Sequence, residues 1–528
     1  MRFALLLRSL PFAIVICGTV PALCQGDNNP SAQQKSSITV TSRLVVLDVV
    51  VLDAAGEPVT NLDRSKFTIY EDKVPQTIKN FDPPSGHQMP AGSAVQPVVN
   101  SAADLPKIGS APVNILVFDE VDTPFHQLAY ARQMMEKYLK ALPEVLPVPT
   151  LFVAVGSTKM AVLHDYTQSR AELLESVKTH TADLDFTQVM ASLNGGASAA
   201  DNGMVKTLGA LSQIAESVRG VPGRKNVIWV GSGYNKAQDL NNMSESDHDR
   251  VVAAIEQVTD RMLSARVTLY VVDPAGPMAA DQATDQTINP TQVTSPGTSI
   301  GDFGNNMGFY NFATATGGRV MTGRNDLDAQ VAQATAEGTE FYTISYIPQT
   351  TGGSPSANNA ARPYRRIRVA VNDPSLRVIT RDGYFGGEPS VSAVALARNA
   401  KQPADVRYDL LTAAHTAMVY TGLHMQAQRT KAGFNLLVNA KDLKFNEQPD
   451  GTRLAEVTVV AVCYNAKGKE TSQHAAELKE ELLPTDQIGP TSQVAFTFPL
   501  VVPAFTDHVR FVMRDAGTSY LGTTEGKP

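Results

Sequence analysis

Four runs constrain what this chain can fold into: VNILVFD (113–119), TLFVAVG (150–156), KNVIWVGSG (225–233) and RVTLYVVDP (266–274). Each is almost continuously apolar and rich in β-branched residues. That is the pattern of a strand buried on both faces, since a strand with one wet face would alternate. KMAVLHDYT (159–167) reads as a further buried strand. Between the runs the apolar period lengthens. Leu128, Ala131, Met135, Tyr138 and Leu142 recur every three or four positions behind Thr123-Pro124, which reads as an N-cap with proline at the first helical position. Ser169 and Glu172 form a capping-box pattern before Leu173, Leu174 and Val177. Val205, Leu208, Leu211, Ala215 and Val218 make another helical stripe, and helices are expected over 246–264 and 326–336. Strands and helices alternating on this scale predict a doubly wound, Rossmann-like parallel sheet over 113–340.

The flanks have a different texture. Residues 36–82 carry a long β-branched stretch broken at Ala54-Ala55-Gly56, followed by KFTIYED and QTIKNF, and read as an N-terminal β segment. Residues 83–112 hold six prolines and no Phe, Tyr or Trp, and read as a linker. FYTISYIP, YRRIRVAVN and RVITRDGYF make 341–387 a second β segment. Neither segment has enough strands to bury two sheet faces; together they reach the roughly seven of an Ig-like sandwich. Two readings follow: one sandwich interrupted by the α/β domain, or two small β units packed separately. Residues 388–432 read as a connector with one helix near 405–415, and 433–528 as a C-terminal β-sandwich. The fold class is therefore α/β plus β.

Residues 1–24 have a signal-peptide pattern: Arg2 and Arg8, an apolar run to Val20, then Ala22-Leu23-Cys24 at the cleavage spacing. The apolar part falls short of the about 20 residues a span needs. A secreted or periplasmic protein is expected, with no transmembrane segment in the mature chain. Cleavage leaves Cys463 as the one cysteine and makes the chain two charges more negative than its formal −7. An acidic balance argues against nucleic acid as a partner.

HExxH, CxxC, P-loop and G-x-S-x-G patterns are all absent, so the reading is non-enzymatic. The informative cluster is Asp119-Glu120-Val121-Asp122-Thr123, at the carboxyl end of the first buried strand, where doubly wound sheets bind ligands. Carboxylates and a hydroxyl there suit a hard divalent cation. A second reading explains them locally: Thr123 caps the helix, Asp122 complements its N-terminal dipole, and Glu120 is solvated.

The strand-then-Asp opening, the α/β alternation and ALSQIAESVRGVPGRKNVIWVGSGYN (210–235) resemble von Willebrand factor A (VWA) domains. The flanks, VVVLDAAGEPVTNLDRSKFTIYEDKVPQTIKNF and FYTISYIP…YRRIRVAVNDPSLRVITRDGYF, are similar to secreted VWFA-related proteins of acidobacterial type. The resemblance covers roughly 40–385 and implies a metal-ion-dependent adhesion site built on D-x-S-x-S, a later Thr and a later Asp. Asp119 matches the first Asp and Thr123 the second Ser. Val121 replaces the first Ser, and Gly231-Ser232-Gly233 follows KNVIWV where an Asp is expected. The implied site is degenerate, with Asp119, Thr123, Asp122 and Ser232 as its candidate residues; no cofactor is expected beyond, at most, weakly held magnesium. The implied function is a protein-binding, adhesion-type scaffold. The alternatives are a structural envelope-assembly protein with a vestigial VWA face and a hydrolase with an unrecognised site.

Overall fold

The computed structural model describes residues 44–157, 159–183, 197–234, 245–276, 309–349, 364–386 and 404–528. The signal-peptide reading of 1–24 lies outside them.

At the centre is a six-stranded sheet in the order Val320–Met321, Val267–Val272, Lys225–Val230, Val113–Asp119, Val145–Val155, Met160–Ser169. The first five strands run parallel and the last is antiparallel. Strand order reverses at Val113–Asp119, so the helices that follow it and Lys225–Val230 pack on opposite faces of the sheet. All residues of Val113–Asp119, Lys225–Val230 and Val267–Val272 are buried. Successive side chains enter two separate cores. Leu116, Phe118, Ile228, Val230, Tyr270 and Val272 pack under helices Phe125–Ala141, Arg170–Thr179 and Leu327–Thr339. Ile115, Val117, Val227, Trp229, Leu269 and Val271 pack under Ala197–Ser217, Glu245–Ser264 and Tyr310–Ala315. Each fully buried large apolar side chain contributes about 1.5–3 kcal/mol. Met160–Ser169 differs from the expected buried strand. As an antiparallel edge it is only half-buried over most of its length.

The segments before and after this domain share backbone ladders. Val45–Val49 pairs antiparallel with Tyr342–Tyr346, which pairs in turn with Ile78–Asp82, and Val50–Leu52 pairs with Arg377–Ile379. In the facing sheet, Tyr364–Val371 lies between Phe67–Glu71 and Gly383–Phe385, with Val74–Gln76 at the edge. Val45, Leu47, Val49, Val51, Ile69, Ile344 and Val369 fill the space between the sheets. Phe67, Phe81 and Tyr342 pack ring to ring at 5.0–5.7 Å.

Asp48 and Thr343 face away from this core and meet Arg266 at the start of a central strand. Arg266 donates to Asp48 Oδ1 at 2.5 Å and to Thr343 Oγ1 at 2.9 Å. The sandwich therefore docks on the amino ends of the central strands. The proline-rich segment 83–112 is not a free spacer: Val99, Ala102, Leu105 and Ile108 are buried in one of the two α/β cores, and His87 stacks on Phe341 at 4.6 Å.

The C-terminal region packs the sheet Met425–Arg429, Gly433–Asn439, Gln493–Pro499 against a second sheet. In the latter, Arg453–Asn465 lies between Glu470–Leu482 and Thr506–Asp515, which continues to Leu521–Gly526. Helix Ala404–His415 covers the outer face of that sheet, with Ala413, Ala414, Val460, Val462 and Val512 in one apolar cluster with the α/β core. Arg261 reaches across to Asp409 at 3.2 Å. The result is an α/β region with a mixed parallel and antiparallel core sheet, joined to antiparallel, sandwich-like sheets. Among the described residues no helix is long and apolar enough to cross a membrane.

Candidate functional site

The carboxyl ends of the central strands point away from the docked sandwich. Asp119 closes Val113–Asp119, Gly231-Ser232-Gly233 follows Lys225–Val230, and Asp273 follows Val267–Val272. Asp119 is completely buried. Its Oδ1 accepts from the amides of Val121 and Asp122, both at 3.1 Å. Its Oδ2 accepts from Trp229 Nε1 at 3.2 Å and from the Gly233 amide at 2.9 Å. Burial pushes its carboxyl up, against the pull of these four donors.

Asp122 lies beside it on the outgoing loop. Burial, then the charge of Asp119, push the Asp122 carboxyl up to about 7, while the Thr207 hydroxyl and Lys206 pull the other way. Thr207 Oγ1 donates to Asp122 Oδ2 at 3.2 Å. Gly203 allows that approach, because a Cβ there would collide with the Asp122 carboxylate. Burial, with the neighbouring charge of Asp119 added to it, keeps the Asp122 carboxyl protonated to near neutrality.

Thr123 does not cap the helix. Helix Phe125–Ala141 begins after Pro124 with no side-chain cap, and Thr123 Oγ1 instead accepts from the Ser232 amide at 3.3 Å. Gly231, at φ 153°, is what lets the second loop close on the first: a Cβ would strike Asp119 and Thr123. Ser232 turns its hydroxyl the other way, to Asp273 Oδ1 at 3.2 Å. Asp273 also accepts from the Ala275 amide at 2.9 Å and the Tyr310 hydroxyl at 2.6 Å. Glu120 is buried too; it accepts from the Asp183 amide at 2.9 Å and pairs with His180 Nε2 at 2.5 Å. Glu120 is therefore shielded, not solvated. Phe125, just beyond this cluster, is 69% exposed.

The structure thus brings Asp119, Asp122, Thr123 and Ser232 to one place, and adds Thr207, Trp229, Asp273 and Tyr310. Asp273 had a sequence signal: it ends RVTLYVVDP as Asp119 ends VNILVFD. Thr207 had none, because a hydroxyl inside a helical stripe carries no mark of what it faces.

These residues fit a bound divalent cation poorly. A carboxylate offers about four acceptor positions, and four N–H donors already occupy those of Asp119. Val121 contributes no oxygen from its side chain. Among the described residues no group of three or more His, Cys, Asp or Glu is placed to hold a metal. What the arrangement does is lock three loops together through a buried polar network, fixing the shape of the strand-end surface. A comparison with protein-family models finds no match, and neither does a comparison with curated proteins.

Proposed function

We propose that the chain is an exported, VWA-like protein-binding scaffold whose strand-end face takes a protein ligand without requiring a metal. The reading rests on one observation above others: the loops after three central strands are cross-linked by buried hydrogen bonds through Asp119, Thr123, Ser232 and Asp273, and Phe125 stands exposed beside them. A rigid polar centre with an exposed aromatic at its rim suits recognition, because little conformational entropy is lost on binding. The strand order, with its antiparallel edge, supports the VWA-like assignment. The absence of the usual nucleophile and metal motifs supports a binding role over a catalytic one. The pattern of residues 1–24 supports export to the periplasm or beyond.

The test is capture from native envelope extract by wild type and by Phe125→Ser, each with and without chelator. Capture that survives chelator and is lost in Phe125→Ser is expected. Capture abolished by chelator would overturn the metal-free reading, and capture indifferent to Phe125 would place the ligand on another surface.

A further inference from the structure

The C-terminal sandwich ends in a tip that its own fold does not explain. Between Gln493–Pro499 and Thr506–Asp515 the chain makes the loop Leu500-Val501-Val502-Pro503-Ala504-Phe505. Leu500 is buried, but Val501 is 89% exposed and Phe505 92% exposed, the two most exposed large apolar side chains among the described residues. Phe505 is held outward. Pro503–Thr506 is a tight turn in which the Pro503 carbonyl accepts from the Thr506 amide at 3.3 Å and its hydroxyl at 2.8 Å. Phe505 occupies its third position at φ 68°, a left-handed conformation natural to glycine and unfavourable for an aromatic residue.

The surrounding charge comes from other hairpins at the same end. Gly433 pairs with Pro499 and Arg429 with Phe434, which places the connecting residue Lys431 beside the loop. Asn465 pairs with Thr506, which places the turn carrying Lys467 and Lys469 there as well. All three lysines are exposed, and none has an ion-pair partner among the described residues. Two acids share this end and hydrogen-bond to histidines: Glu470 lies 3.1 Å from His415 Nε2 and Asp507 3.0 Å from His508 Nδ1. An apolar apex with a fringe of unpaired cations, on a protein that is acidic as a whole, complements a surface that is negative outside and apolar beneath.

We propose that this end of the C-terminal sandwich docks on an anionic lipid bilayer, with Val501 and Phe505 entering the headgroup–acyl boundary and Lys431, Lys467 and Lys469 contacting the phosphates. Separate hairpins bring these residues to the same end of the sandwich.

Co-sedimentation of the full mature chain with phosphatidylglycerol–phosphatidylcholine vesicles, and with pure phosphatidylcholine vesicles, tests this. Binding to the anionic vesicles, weakened by salt, is expected. Phe505→Gly should lower the partition by about tenfold or more while leaving the thermal midpoint unchanged or raised. Each Lys→Gln change should lower it by about fivefold on anionic vesicles only. Absence of wild-type binding to the anionic vesicles, or equal binding by Phe505→Gly, overturns the proposal. So does concentration-dependent self-association that Phe505→Gly abolishes, which would make the tip an interface between copies.

Discussion

Asp122→Asn isolates the electrostatic cost of the strand-end cluster. The carboxyl of Asp122 is held at about 7 against an ordinary 3.8, chiefly by burial and secondarily by Asp119. The folded state therefore holds the proton more tightly than the unfolded chain does. Below about pH 4 the carboxyl is protonated in both states, and wild type and the isosteric variant should unfold alike. From about pH 4 to 7 the unfolded chain ionises freely and the folded one does not, so wild type loses ground to Asp122→Asn. Above about pH 7 the difference levels off. At about 1.36 kcal/mol per unit the upper bound is about 4 kcal/mol; partial solvent access and the charge interaction with Asp119, which spreads the titration over both carboxyls, reduce the expected gap to about 2 kcal/mol. Trp229 is the sole tryptophan and donates to Asp119, so urea unfolding followed by its fluorescence reports from the site itself. The midpoint gap should open with pH in favour of Asp122→Asn. Superimposable pH profiles, or a variant weaker than wild type at about pH 8, would refute the account of the pair. If added magnesium stabilised wild type at that pH and not the variant, the site would be an occupied cation site after all.

Other substitutions probe the same frame. Asp119→Asn places an amide against donors that need an acceptor, and should cost about 2–4 kcal/mol with a red-shifted Trp229 emission; an unchanged spectrum would contradict its role as the hub. Gly231→Ala should open the loop contact with Thr123, read as faster amide exchange at Ser232 and Gly233. At the other end of the domain, Asp48→Asn leaves the Arg266 guanidinium short of its counter-charge and should cost about 3 kcal/mol. Asp48 counters its burial through Arg266 and Arg224, which hold its carboxyl below the ordinary range. Its contribution is therefore present at neutral pH and fades as pH falls below about 4, a trend opposite to that of Asp122.

The strands that were legible in the sequence are those whose environment leaves only apolar choices. VNILVFD and KNVIWV could be read directly, because both of their faces lie under helices. Glu470–Leu482 carries no such mark, for the converse reason. It is a 13-residue outer strand, and its sequence ETSQHAAELKEEL carries neither an unbroken apolar run nor clean alternation. Its place is set by backbone pairing to Arg453–Tyr464, which a periodicity argument does not see. At the site, Asp119 and Thr123 were legible from position, but their partners were not. Whether Thr123 caps its own helix or accepts from Ser232 depends on how closely a second loop approaches, and only Gly231 hints at that. The segment 83–112 misled through its prolines: they break regular structure without preventing Val99, Leu105 and Ile108 from being buried.

The interrupted sandwich dictates an order of assembly. Thr343 Oγ1 donates to Asp48 Oδ1 across 295 positions of chain, and Tyr342–Tyr346 is the strand that joins Val45–Leu52 to Ile78–Asp82. A chain made from its amino end presents Val45–Asp82 long before the strands that complete it exist. The α/β region can form in the interval, and by bringing its own two ends together it lowers the entropic cost of closing so long a loop. Until then the early strands carry open edges of the kind that recruit other chains. Nascent or truncated chains ending before Phe341 should therefore aggregate through Val45–Leu52, and the inserted domain acts as the template on which the surrounding sandwich is completed.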